Sequence, residues 1–453
     1  MRKIVLTITL VFLCVIGYSS ISASAAENST NLGLNKSVSG IITDDDPSDY
    51  YTISLGEAGK LSLDVSSYMP YLNVVLYDEN HDVIMENSSF EDADENNPTP
   101  WKEGKYLEPG TYTVKVSQED DYTGNYRLKA TFNAANNNEV EPNNGIDLAQ
   151  PLTLNESQIT GLISWNDSTD YYKLDVKKAG KLSVDFSSYM TYVNIDVLDE
   201  NYESIMSDDS FSGASENTAI PTNLSTYLEA GTYYIKVSED DENGRYKLKT
   251  NFTEAKNNEI EPNNGVDQAQ TISANTQKVT GLISWNDTAD FYKVNITKAG
   301  KLTVNTYSYI PWLDVDVYDS KMQNVLSYAD FRDATENTSI LNSDTAVVKA
   351  GTYYISIKQD SGYGKYKLFV KAPSMLPKSP TVNKVKKGAK KITGKTVKNS
   401  TVTVKIGSKK YTGKSNSAGK FSIKVPVQKT KSKIYVSVET SAGTSASTKV
   451  VVK

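Results

Sequence analysis

Apolar residues alternate with polar ones along most of this chain. Tyr172, Leu174 and Val176 alternate, as do Leu182, Val184 and Phe186, and Tyr246, Leu248 and Thr250. A period of two over short runs predicts half-buried antiparallel strands. Ala-Gly, Asp-Glu-Asn and Glu-Asn-Gly turns break the runs. Seven or eight such strands recur per segment of about 120 residues, which predicts an all-β two-sheet sandwich for each. No window reads as a helix apart from a weak stretch at Gly145 to Gln150.

The pattern repeats. Ala58-Gly59-Lys60-Leu61 returns at Ala179 to Leu182 and at Ala299 to Leu302. Gly110-Thr111-Tyr112 returns at Gly231 and at Gly351 in the same register. A unit of this length can bury its own core, so the repeats predict tandem domains rather than a solenoid. The expected boundaries are 26–134, 135–254 and 255–373. The junctions Asn133 to Asn138 and Glu254 to Asn258 are polar and asparagine-rich, and are expected to be flexible.

Residues 1–25 read as a signal peptide: Arg2 and Lys3, an apolar run from Ile4 to Gly17, then Ala23-Ser24-Ala25. The single cysteine, Cys14, lies inside it, so the expected mature chain has no thiol and no disulfide. No later stretch is apolar enough to span a bilayer. Residues 374–453 form a fourth expected domain, also β, like a small immunoglobulin-like sandwich. From residue 375 on they hold 19 lysines and one acid, Glu439, for a net charge near +18. The whole chain is −7, which leaves about −27 on residues 26–374. A basic domain on an acidic body is suited to an anionic cell-wall polymer; nucleic acid is not expected for an exported protein.

The candidate chemistry is carboxylate chemistry. Glu-Val-Glu-Pro-Asn-Asn-Gly at Glu139 returns as Glu-Ile-Glu-Pro-Asn-Asn-Gly at Glu259. Gly-Leu-Ile-Ser-Trp-Asn-Asp-Ser-Thr-Asp-Tyr-Tyr at Gly161 returns at Gly281 with small changes. The recurring oxygen donors are Glu139, Glu141, Asn143, Asn144, Asp167 and Asp170, then Glu259, Glu261, Asn263, Asn264, Asp287 and Asp290. Pro142 disfavours helix, so Glu139 and Glu141 should share one face of an extended segment. Four carboxylates in one place repel unless a cation sits among them. An all-oxygen set suits a hard cation, calcium in particular. The plainer alternative is a solvated turn, since Pro-Asn-Asn-Gly is good turn sequence.

These motifs, with the Ala-Gly-Lys-Leu strand and the closing Ala-Gly-Thr-Tyr-Tyr-Ile strand, resemble the bacterial pre-peptidase C-terminal domain. That family includes the collagen-binding domains of clostridial collagenases. The resemblance covers three units. It implies tandem jelly-roll-like sandwiches, with calcium held between the N-terminal linker and the sandwich by the twelve residues above. In the first unit only Asp46 and Asp49 match, so calcium there is not expected. The resemblance also implies sheet tyrosines as protein contacts; among the 30 tyrosines, Tyr233, Tyr234, Tyr353 and Tyr354 are the candidates, one of each pair facing out.

His81 is the only histidine, and with no cysteine in the mature chain no His-based nucleophile triad can be built in the other repeats. The expectation is a non-catalytic, secreted or wall-associated calcium-binding protein with an extracellular protein or polysaccharide ligand. The alternative is an accessory component of a secreted protease system.

Overall fold

The computed structural model describes residues 29–119, 121–239, 242–372, 377–440 and 443–453. The expected signal peptide and Cys14 lie outside the described residues. The chain is all-β. Its only helical elements among the described residues are two single 3-10 turns, Ile146–Leu148 and Val266–Gln268, the first within the weak stretch noted above. Among the described residues, no helix is long and apolar enough to cross a membrane.

Backbone contacts divide the chain into two units: residues 1–137 with 162–167, and residues 138–161 with 168–453. One strand order occurs three times along the chain. In the third repeat, a five-stranded sheet runs Gln270–Ile272, Ala289–Ile296, Gly351–Ser361, Trp312–Asp319, Asn324–Tyr328. Its first pair is parallel and the others are antiparallel. A four-stranded antiparallel sheet runs Lys278–Ile283, Gly364–Lys371, Gly300–Ser308, Ile340–Val348.

The alternating sequence explains why these strands form a sandwich. Leu302 and Val304 on one sheet and Val294, Val315, Ile355 and Ile357 on the other are fully buried in a single cluster. Each buried aliphatic side chain contributes about 1.5–3 kcal/mol by leaving water. Most intervening residues on these strands face outward or lie half-exposed, while Ser356 is buried between Ile355 and Ile357.

The tail forms two smaller sheets. One holds Thr381–Val382, Lys391–Lys395 and Lys420–Lys424; the other is built on Thr401–Ile406, Lys409–Lys414 and Lys433–Thr440, with Thr448–Val451 on its edge. Ile392, Val402, Val404, Ile434, Val436 and Val438 fill its core. Its lysines alternate outward along these strands, as in the exposed–buried pattern of Lys420–Lys424.

The stretch Glu254 to Asn258 is more tightly held than its composition implies. Ala255 is buried and donates its N–H to Ala179 O at 2.9 Å, and Asn258 donates to Thr280 O at 2.9 Å. Backbone pairing on both sides leaves only Lys256 and Asn257 between these two anchors. Local polarity underestimates order when neighbouring strands supply the partners.

A candidate metal centre in the second and third repeats

The third repeat shows the site most completely. Strand Ala289–Ile296 places Asp290 and Tyr292 on its inward face, in phase with Val294 and Ile296. Asp290 is therefore a fully buried carboxylate at the edge of an apolar core. Tyr366, on strand Gly364–Lys371 of the opposite sheet, is likewise fully buried. The two tyrosine hydroxyls meet across the sandwich and bond to each other.

Two segments bring the glutamates to this point. Asn258 pairs with Thr280, and Leu282 N donates to Glu259 Oε1 at 2.7 Å. Glu259 Oε2 then accepts from Tyr292 at 2.9 Å and Tyr366 at 3.3 Å. Tyr366 Oη also lies 2.6 Å from Asp290 Oδ2, which accepts from it. The bond between Glu261 and Pro262 is cis, as is that between Glu141 and Pro142. After it, Asn263 N donates to Glu261 Oε2 and Asn263 Nδ2 to Glu261 Oε1, both at 2.8 Å. Asn264 Nδ2 donates to Asp287 Oδ1 at 2.8 Å. Asp287 sits in a tight turn bridged to Ser284.

Carboxylate oxygens of Glu259, Glu261 and Asp290 lie within 4.8 Å of one another. That is about twice a calcium–oxygen distance of about 2.4 Å. Burial lifts the Asp290 carboxyl well above the carboxylate range, and the charges of Glu259 and Asp287 add to it. Asp287 is pushed up to about 7 by burial, then by Glu261 and Glu229. Burial raises Glu259 to about 7 and raises Glu261 as well. Asp287 Oδ2 and Asp290 Oδ1 are buried without a hydrogen-bond partner. Buried acceptors are almost always satisfied, and charged ones cost most when left alone. The donor set is all oxygen and partly buried, its net charge is negative, and two of its atoms lack partners, so the residues present fit a hard divalent cation.

The second repeat builds the same cluster from Glu139, Glu141 and Asp170. Tyr172 and Tyr246 donate to Glu139 Oε2 at 3.0 and 3.2 Å, and Tyr246 to Asp170 Oδ2 at 2.5 Å. Asn143 is fully buried with Oδ1 and Nδ2 unpartnered, and Glu141 Oε1 lacks a partner too. Asn144 and Asn264 are exposed, while Asp167 is buried in its turn with Ser164. In the first repeat, Tyr126 bonds Tyr51 at 2.7 Å and Asp49 at 2.5 Å, so the tyrosine–aspartate half of the arrangement persists there.

Sequence reasoning missed the tyrosine pairs. The signal was present: Tyr51, Tyr172 and Tyr292 each precede a second tyrosine, Tyr126, Tyr246 or Tyr366, by 74 or 75 residues. The contact-tyrosine expectation needs correction. Tyr233 and Tyr353 face the core, and their hydroxyls donate to Glu229 O at 2.9 Å and Lys349 O at 3.1 Å. Strand alternation points them inward, so their rings are not available to a partner. Tyr234 and Tyr354 face outward and are half-buried, and Tyr234 packs 5.7 Å from the exposed ring of Tyr202. His81 is an exposed loop residue at positive φ, a turn position shared with Tyr202 and Met322.

Comparison with known proteins agrees with the resemblance read from the motifs. Residues 376–453 match the model of the bacterial Ig domain. The chain is 25% identical over 284 residues to collagenase ColA of Clostridium perfringens, covering 58% of this chain and 25% of the relative. It is 32% identical over 153 residues to collagenase ColQ1 of Bacillus cereus, covering 32% of this chain and 15% of the relative. The chain thus spans a quarter or less of the length of these two relatives. Among solved structures, the pre-peptidase C-terminal domain of a Bacillus anthracis collagenase aligns with 24% of this chain and 99% of its own, at 22% identity and a TM-score of 0.21.

Proposed function

We propose that this is a secreted or wall-associated, non-catalytic protein whose second and third sandwiches each bind calcium. The twelve oxygen donors named from the sequence are its ligand set, and the sandwiches span 26–134, 135–254 and 255–373, followed by the basic domain at 374–453. The observation that carries the reading is the twice-built carboxylate cluster with buried oxygens that lack partners. Calcium would neutralise the charge the fold concentrates there. The side chains of this chain hold the donors in place: Tyr292 and Tyr366 orient Glu259 and Asp290, and Asn264 orients Asp287.

The ligand is proposed to be an extracellular protein or polysaccharide, of collagen type by analogy with relatives named collagenases. The outward tyrosines Tyr234 and Tyr202 are the proposed contact on the second sandwich. The basic domain is proposed to hold an anionic wall polymer. What supports this is its lysine surface and a shallow groove of about 700 Å³ lined by Lys405, Lys431, Lys433 and Tyr435. Similarity to collagenases favours a second reading, an accessory part of a secreted protease system. A pull-down on collagen and on cell walls, beside a gelatin zymogram, separates the two. Binding without a lytic zone supports the first reading; lysis by the purified chain overturns it.

A further inference from the structure

The second and third sandwiches meet at a built junction. Trp285 N donates to Tyr227 O at 3.0 Å, and Ala179, Tyr227, Ala255 and Leu282 form one small apolar cluster. Beside this cluster lies the loop after strand Ile220–Leu228, and it carries Glu229. Glu229 N donates to Asn286 Oδ1 at 3.2 Å. Asn286 Nδ2 reaches Tyr233 Oη at 3.4 Å, and that hydroxyl donates back to Glu229 O at 2.9 Å. The loop is therefore clamped onto the turn Ser284–Asp287 of the next repeat. The Ser284 hydroxyl lies within bonding reach of the Glu229 carboxylate as well as of Asn286 Oδ1. Asp287, three residues along the same turn, has its Oδ2 buried and unpartnered.

We propose that Glu229, carried by the second sandwich, is a fifth carboxylate of the third repeat's cation site, so that the ion there ties two sandwiches together. The proposal rests on the calcium reading above and goes beyond it, because the six donors of that repeat all belong to its own linker and sandwich. Two further observations support it. Burial raises the Glu229 carboxyl and the charge of Glu261 adds to it, and both glutamates act on Asp287. A carboxylate held half-buried against two others, without a cation among the described side chains to pair with it, is an arrangement a divalent ion stabilises. The sequence also places glutamate at this loop position, Glu108 and Glu229, in the two repeats followed by a Glu-x-Glu-Pro-Asn-Asn motif. In the third repeat, followed by the lysine-rich domain, the position is Lys349.

The test uses the full chain with its second site removed by Glu141→Gln and Asp170→Asn, so that one repeat titrates. Calcium alone is titrated calorimetrically into this parent and into the same chain carrying Glu229→Gln. Glutamine keeps the hydrogen-bond acceptor near Ser284, so a purely structural role leaves the affinity unchanged. Loss of a ligating or adjoining carboxylate is expected to weaken binding about tenfold or more, with melting in chelator unaltered. The second readout is exchange of the Trp285 amide, which bonds across the junction. Calcium at saturation should slow it in the parent and leave it near the chelator rate in Glu229→Gln. If Glu229→Gln does not fold, Glu229→Asp, which keeps the charge and shortens the reach, is read the same way. Affinity within about twofold of the parent, or equal slowing at Trp285, overturns the proposal while leaving the calcium reading intact. A parent that binds no calcium overturns both.

Discussion

Asp290 is a costly residue to bury. A carboxylate at the edge of a valine and isoleucine core, flanked by Glu259 and Asp287, is stable only if something offsets its charge. Tyr366 supplies one hydrogen bond to it, and the other oxygen has none. A bound ion would stabilise the folded state alone, by about 2.7 kcal/mol per site at a hundredfold excess over Kd. The melting temperature should therefore rise with calcium and fall with chelator. Asp287→Ala should remove the third repeat's share of that rise, and Asp167→Ala with it should abolish the rise. A double variant whose melting curve still responds fully to calcium would show that these turns do not hold the ion.

At the scale of elements, the site depends on one strand passing very close to a tyrosine ring. Gly281, on strand Lys278–Ile283, has no Cβ; one built there would lie 2.1 Å from Tyr366 Cζ and 2.5 Å from Glu259 Oε2. Gly161 has the same relation to Tyr246 and Glu139. Neither ring can retreat, because both are fully buried. Gly281→Ala should cost about 1–3 kcal/mol by overpacking and should also weaken calcium binding, since it displaces a donor. Melting in chelator reads the first effect and calorimetry the second. An affinity equal to that of the unaltered chain would mean that Tyr366 and Glu259 can shift without disturbing the ion.

At the scale of the whole molecule, charge acts in two places. Glu336 accepts from Lys181 at 2.6 Å and from Tyr227 at 3.3 Å, joining the second and third repeats. The hydrogen bond from Lys181 is the main cause that holds its carboxyl below the ordinary glutamate range. Its folded value is depressed, so its stabilisation is present above the unfolded value and is lost as pH falls through the folded one. The pair is partly solvent-exposed, so Glu336→Gln should cost no more than about 1 kcal/mol near neutrality. That difference should shrink as pH falls below the ordinary glutamate range and through the depressed folded value; a difference independent of pH would place the stabilisation elsewhere. The second place is the basic domain, with charge near +18 against about −27 on the body. Residues 375–453 should sediment with anionic cell walls at low salt and be released at about half-molar salt, where the Debye length is about 4 Å. Residues 26–374 should stay in solution. Equal sedimentation of both fragments, or indifference to salt, would count against an electrostatic tether.

The all-β class was legible in the sequence because a two-residue period survives wherever one strand face is buried, as at Leu182 to Phe186. The candidate donors could be named because duplication repeats them in register. Their gathering in one place was expected, but the tyrosine pair Tyr292 and Tyr366 that closes on Glu259 and Asp290 was not, because these residues lie far apart in the chain and meet only when two sheets and a linker close on one point. The same holds for the tyrosines: Tyr353 and Tyr354 read alike, and only the strand's phase in the sandwich turns the first inward. Order in the asparagine-rich junction was hidden for a related reason, since its hydrogen-bond partners, Ala179 O and Thr280 O, belong to strands that local composition does not describe. Glu229 is the extreme case. Its neighbours along the chain mark an ordinary turn, and only the packing of one sandwich on the next brings it beside Ser284 and the Asp287 turn.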